Sequence, residues 1–195
     1  MKGHYIWVAV FLAVCLEGCG TRGMSVRQVP PFLQKVEEQD KKLEKEGEEV
    51  CDKTMKKITN FLDLEDWRGV CSLFSDNSLK SIGDLGGKAH YLAVLYKGNT
   101  RQIHRIEKPR ITKKEGGGRV RITADALYLV QTDDREYHVV LRYVMRDDIQ
   151  PDNEGVYSML WTLGATRSWE DIDGAADLII EYRGFYKNDG KRYKH

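Results

Sequence analysis

Two aspartates and a set of aromatic side chains are the residues of this chain best suited by type to do chemistry. Asp66 and Asp84 lie at the starts of helical stretches, and Tyr128, Tyr137, Tyr143, Tyr157 and Trp161 recur on one side of three later segments. A carboxylate base facing a tyrosine hydroxyl in an apolar pocket can move a proton next to a carbonyl. The aromatic face itself carries no Asp or Glu, so the base would have to come from the helices. Aspartates at helix starts more often cap backbone N–H groups. Tyrosines on an apolar face more often sit in a core with a satisfied hydroxyl. We therefore expect no catalytic residue, and take Trp67, Tyr91, Tyr128, Tyr143, Tyr157 and Trp161 as candidate lining of a pocket.

Other reactions find less support. His90, His104 and His138 are far apart, with no His-Glu-x-x-His or Cys-x-x-Cys spacing to hold a metal. Asp147-Asp148 and Asp152-Asn153-Glu154-Gly155 concentrate oxygen ligands but lack the alternate spacing and closing Glu of a calcium loop. They read as a turn between strands. Gly116-Gly117-Gly118 is followed by no Lys-Ser or Lys-Thr and has strands on both sides, so it is a hairpin turn and not a phosphate loop. No Gly-x-Ser-x-Gly element is present, and no cofactor is expected. Lys plus Arg number 31 against 30 Asp plus Glu, which gives no electrostatic case for nucleic acid. An apolar share of 41% with 10% aromatics belongs to a globular chain.

The N-terminal segment carries a different chemistry. Lys2 precedes an apolar run from Tyr5 to Leu16, too short to span a bilayer and typical of an export signal. The following Leu16-Glu17-Gly18-Cys19 resembles the lipobox of bacterial lipoproteins, with Glu17 standing where that motif favours a small or apolar residue. The resemblance implies that Cys19 becomes the lipidated first residue of a mature chain on the extracytoplasmic face of the cell membrane. Ordinary cleavage near Gly18-Cys19-Gly20 would instead release a secreted protein. Of the remaining cysteines, Cys15 leaves with the signal. Cys51 and Cys71 fall on consecutive helices, where an oxidising exterior permits a disulfide; the alternative is two buried thiols acting as small apolar groups.

The elements that must position these residues follow from periodicity. Residues 1–18 are the signal and 19–49 a tether and charged helical spacer, rich in Lys and Glu, with Gly47 as its weak point. A domain spans 50–187, and 188–195 form a tail. Val50, Cys51, Met55, Ile58, Phe61 and Leu62 share a helical face. A second helix starts at Asp63, and a third covers Gly87 to Tyr96, with Tyr91 and Val94 among its apolar residues. Ile103 to Lys113, containing Pro109, reads as one edge strand. Val120 to Val130 alternates, as do Tyr137 to Met145 and the set Tyr157, Met159, Trp161 and Leu163. Ala124 and Ala126 are small enough to leave a cavity if nothing fills the space above them. A last short strand falls within Leu178 to Tyr186.

Helices first and strands after give an α+β fold, with N-terminal helices packed on a curved antiparallel sheet. A curved sheet around a long helix is the cone of nuclear transport factor 2, ketosteroid isomerase and cystatin-like proteins. Several segments resemble an uncharacterised family of small Gram-positive bacterial lipoproteins with that nuclear-transport-factor-2-like fold. They are the Met55-Ile58-Phe61 face, Trp67 with Leu73-Phe74-Ser75, the run Pro151 to Ser158, and Gly184-Phe185-Tyr186. The resemblance implies fold and lipoprotein status and carries over no catalytic residue. The expected function is a membrane-anchored, non-catalytic binding or interaction module. Its cone mouth would take a small ligand, or its outer face with Arg121, His138 and Arg142 would meet an envelope protein. Two alternatives stand beside it: a small pocket enzyme of ketosteroid-isomerase type using Asp66 or Asp84, and a surface immunity protein.

Overall fold

A computed structural model describes residues 31–163 and 177–182. The expected signal, Cys19, the residues preceding 31, the Gly184-Phe185-Tyr186 segment and the C-terminal tail lie outside the described residues. Four helices come first: α1 (Pro31–Asp63), α2 (Trp67–Cys71), α3 (Asp76–Ser81) and α4 (Leu85–Leu95). Six strands follow: β1 (Thr100–Arg105), β2 (Arg110–Gly116), β3 (Arg119–Thr132), β4 (Glu136–Asp147), β5 (Gly155–Leu163) and β6 (Leu178–Tyr182). The result is an α+β fold with helices packed on one face of an open sheet.

The sheet is mixed. Its order is β1-β3-β4-β5-β6, with β2 pairing β3 on the same edge as β1. β5 and β6 run parallel, which corrects the expected all-antiparallel arrangement. Ile103 to Lys113 is two strands, not one. β3 is 14 residues long and pairs β2 through its first half and β1 through its second. Pro109, which has no N–H for a ladder, sits buried in the break between them.

The core forms between this sheet and α1. Cys51, Met55, Ile58 and Leu62 recur at helical spacing and are at most 2% exposed. They meet Ala124, Ala126, Tyr128 and Val130 of β3 and Tyr137, Val139 and Leu141 of β4 in one cluster. The helix is continuous through Gly47 and Val50, so Gly47 does not interrupt it. Gly47 is buried and is a point of close approach. A Cβ on it would lie 2.4 Å from Ile111 Cδ1 and 3.5 Å from the Ala124 Cβ. The space above Ala124 is thus occupied by the α1 backbone at Gly47. The second helix begins at Trp67, because α1 runs on to Asp63. On the opposite face of the sheet Leu127, Val140 and Leu160 form a smaller buried cluster with Ile179.

Two short segments close the far end of the sheet by pairing with each other. Ser75 donates its backbone N–H to the Val156 carbonyl (3.0 Å), and Val156 donates to that of Leu73 (3.1 Å). The Leu73-Phe74-Ser75 stretch therefore lies alongside β5 as a parallel bridge. Gly155 has φ +129, and a Cβ on it would stand 3.3 Å from the Ser75 backbone. Both the dihedral and the contact demand glycine. Gly155→Ala is expected to lower the unfolding free energy by about 2 kcal/mol in chemical denaturation. A loss below about 0.5 kcal/mol would contradict the close approach.

Candidate functional site

Trp161 on β5 anchors a cluster of three rings. Its centroid lies 5.9 Å from Tyr96 at 87° and 5.9 Å from Tyr137 at 67°. Tyr96 and Tyr137 stack at 5.1 Å and 24°. Both hydroxyls are engaged. Tyr137 Oη donates to the Leu95 carbonyl (3.1 Å) and accepts from the Lys97 N–H (2.8 Å). Tyr96 Oη lies 2.6 Å from Thr100 Oγ1, which donates to Asp63 Oδ1 at 2.9 Å. Burial pushes both phenols above their usual range. The Trp161 indole Nε1 is different: the ring is 1% exposed, and this donor has no acceptor among the described residues.

A cavity of about 20 Å³ lies against Trp161. Leu92 and Leu95 of α4 wall one side, Leu163 and Ile180 of the parallel β5–β6 pair the other. Arg135, from the turn before β4, also lines it, with Tyr137 and Thr162. No ion pair of the Arg135 guanidinium occurs among the described residues. A volume of this size admits the centre of about one water molecule. Among the described lining residues there is no carboxylate, thiol or imidazole.

A second constellation joins α1 to the sheet. Tyr128, 1% exposed, donates its hydroxyl to Asp52 Oδ1 at 2.8 Å. Arg105 donates from Nη1 to Asp52 Oδ2 and from Nη2 to Glu48 Oε2, both at 2.9 Å. This is the carboxylate–tyrosine pair sought in the sequence, but the carboxylate is Asp52. Its other oxygen is bound by Arg105, and none of these residues lines the cavity. Burial, reinforced by Asp52 and Asp125, pushes the neighbouring Cys51 thiol up to about 12, far from reactive thiolate behaviour. Cys51 and Cys71 are both free.

Asp66 and Asp84 are helix caps. Asp66 accepts from the Gly69 N–H at 2.9 Å and Asp84 from that of Gly87 at 3.1 Å, holding the first turns of α2 and α4. Of the six candidate lining residues, only Trp161 borders the cavity. Tyr91 is 53% exposed, because α4 starts at Leu85 and turns Leu85, Ala89 and Leu92 inward. Tyr128 is consumed by its bond to Asp52. Tyr143 is half-buried at the core margin. Trp67 packs edge-on to His90 (6.1 Å) with the Arg68 guanidinium over its ring (5.1 Å). Tyr157 leaves the expected face through a bulge. The β4–β5 register passes from Arg142↔Ser158 to Tyr143↔Val156, so Val156 enters the core and Tyr157 lies under Arg121 at 5.4 Å.

The acidic turn after β4 is a hydrogen-bonded knot. Asp147, 2% exposed, accepts from the N–H groups of Ile149 (3.1 Å) and Gln150 (3.0 Å) and from Asn153 Nδ2 (2.9 Å). Asn153 Oδ1 accepts from Asn77 Nδ2 at 2.9 Å, tying the turn to α3. Among the described residues no three His, Cys, Asp or Glu side chains come together as a metal site.

Two measurements check these assignments. Asp52→Ala leaves a buried phenol without an acceptor, so it is expected to cost about 2–3 kcal/mol against about 1–2 kcal/mol for Tyr128→Phe. Equal or reversed losses in denaturant melts would contradict the tie. Asp147 provides a pH test. Burial opposes its charge, but the bonds from Asn153, Gln150 and Ile149, with Arg121 nearby, outweigh burial and hold its carboxyl below the usual range. A folded-state value below the unfolded one adds stability that is present above about pH 4 and fades as pH falls through the folded value. Asp147→Asn should therefore lower stability at pH 7 and flatten the acid limb of the stability curve. An unchanged acid limb would refute that role.

No curated protein matches this chain. A family described only as a domain of unknown function, DUF5104, matches residues 57–172. That stretch runs from the last two turns of α1, with Ile58 and Leu62, through the Leu73–Ser75 bridge and the Asp147 knot to the Trp161 cluster. The chain belongs to the DUF5104 family, whose matched segment contains β1 to β5 and every described lining residue of the cavity except Ile180.

Proposed function

We propose that this chain is an extracytoplasmic lipoprotein whose DUF5104 domain is a non-catalytic binding module, held at the membrane by acyl chains on Cys19. The observation that carries the binding half is the composition of the groove beside Trp161. Its described walls are almost wholly apolar, with no acid or thiol among them to turn a substrate over. The other groups that could have done so are engaged elsewhere: Tyr128 with Asp52, and Asp66 and Asp84 with helix N-termini. The cone-shaped fold belongs to the same proposal, supported by a long helix lying across one face of a sheet. The membrane half rests on the Lys2, Tyr5–Leu16 and Leu16-Glu17-Gly18-Cys19 pattern.

Acylation has a physical readout. Each buried CH₂ contributes about 0.8 kcal/mol, so two or more chains hold a protein to a bilayer where one does so marginally. Full-length protein expressed in a lipoprotein-processing bacterium should sediment with membranes, and mass spectrometry should find Cys19 as an acylated N-terminus. Cys19→Ala should move the protein to the soluble or secreted fraction. An unmodified Cys19, or a Cys19→Ala chain that stays with the membranes, would refute the anchor.

A further inference from the structure

We propose that the face of the β2–β3 hairpin turned away from α1 docks on an anionic lipid surface. The proposal rests on the Cys19 anchor and names what the domain meets beside it. Residues 110–121 hold five Lys and Arg and one acid, in a chain whose totals are 31 and 30. The ladder sorts them by face. Ile111 lies opposite Ala124, on the face that Gly47 of α1 covers. Arg110 and Lys114 are out of phase with it and project from the other face. Arg119 and Arg121, opposite Gly116 and Lys114, share that face. Arg110, Lys114 and Arg119 are exposed.

No ion pair of Arg110, Lys114 or Arg119 occurs among the described residues. The nearby acids on this face are buried and engaged. Asp125, opposite Arg110, is held by two bonds from Arg142, at 2.7 and 3.1 Å. Asp147, 3.5 Å from Arg121, is occupied in its own knot. Lys114 and Arg121 stand directly opposite each other, and like charges so placed destabilise a strand pair. The arrangement gives folding nothing, and it is what a negatively charged surface attracts.

Position and spacing favour a bilayer over a single soluble anion. α1 leaves the sheet beside this hairpin: Gly47 meets Ile111, and Glu44 lies 3.7 Å from Lys108. From Gly47 back to its start at Pro31 the helix spans about 24 Å. The chain from Cys19 to Pro31 reaches at most about 43 Å. The anchor therefore leaves the hairpin within reach of headgroups. Arg110 and Lys114 are about 13 Å apart along β2, too far to close on one phosphate and suited to a row of them.

The test measures partition of the full-length Cys19→Ala chain, which carries no acyl group at that position. Vesicles contain equal parts phosphatidylglycerol and phosphatidylcholine, or phosphatidylcholine alone. Each cation at an anionic surface is worth about fivefold in partition. Arg110→Gln/Lys114→Gln/Arg119→Gln should therefore lower the phosphatidylglycerol preference about 100-fold and leave binding to phosphatidylcholine unchanged. Lys53→Gln/Lys56→Gln/Lys57→Gln removes the same charge from the exposed side of α1. That side is a helix diameter or more from the hairpin face, beyond the screening length of about 10 Å at about 0.1 M salt. This variant should change the preference less than about threefold. Salt at about 0.5 M should erase the preference. Glycerol phosphate, the same anion without a surface, should not displace the protein at matched ionic strength. Thermal melts check folding, and Arg119→Gln alone should show the fivefold loss if the triple variant does not fold. No phosphatidylglycerol preference, a preference that survives high salt, equal losses in the two triple variants, or displacement by glycerol phosphate would overturn the proposal. Acylation of Cys19 is read separately by mass spectrometry, so either result can fail without the other.

Discussion

The buried hydroxyl of Tyr128 requires an acceptor, and α1 supplies one at Asp52. That bond fixes which face of a 33-residue helix looks at the sheet. With Asp52 at the flank, Cys51, Met55, Ile58 and Leu62 point down onto β3 and β4. Arg105 holds the second oxygen of Asp52 and reaches Glu48 one turn earlier, so the helix is tied at two successive turns. Gly47 and Ala124 let the two backbones approach where larger side chains would hold them apart. The remaining helices then cover what α1 leaves open. α4 brings Leu92 and Leu95 against Trp161, and the groove lies between that helix and the β5–β6 pair.

The segments that carry the family resemblance serve architecture first. Leu73-Phe74-Ser75 and the Pro151–Ser158 run are far apart in sequence, yet they hydrogen-bond directly to each other. Asn153 links Asp147, Gln150 and Asn77 through its one side chain. Gly155 makes room for the Ser75 backbone, and the Tyr157 carbonyl accepts from Ser78 Oγ at 3.3 Å. These groups are buried and largely satisfied, which is what a structural polar network requires. The clasp sits at the Gly155 end of β5 and the cavity toward the Leu163 end, so the two lie at opposite ends of one strand.

Much of the fold could be read from local patterns. Alternation placed β3 and β4, and helical spacing placed the inward face of α1, because those signals are properties of the segments themselves. What escaped depends on distant partners. The charged first half of α1 gives no sign that it continues into the core helix, since its ion pairs, such as Lys42–Glu46 at 3.8 Å, are solvent-exposed. β1 and β2 look like one strand until the length of their common partner is known. A five-residue strand such as β6 does not announce that it runs parallel to its neighbour. The bulge at Tyr157 shifts the register by one residue and moves that ring off the core face. The phase of α4, set by its start at Leu85, turns Tyr91 outward. The site was legible only at Trp161. Asp52 stood beside Cys51 on the core helix, but its partner Tyr128 lies 76 positions away, and only the folded chain brings them together.

Native-state hydrogen exchange across α1 and β3 tests the tie between helix and sheet most directly. If α1 seals the sheet, amides from Cys51 to Leu62 exchange only through global unfolding, with the denaturant dependence of those from Ala124 to Val130. Amides in the exposed first turns exchange by local opening. Exchange of the Cys51–Leu62 stretch through a separate, lower-energy opening, with β3 still protected, would contradict the account.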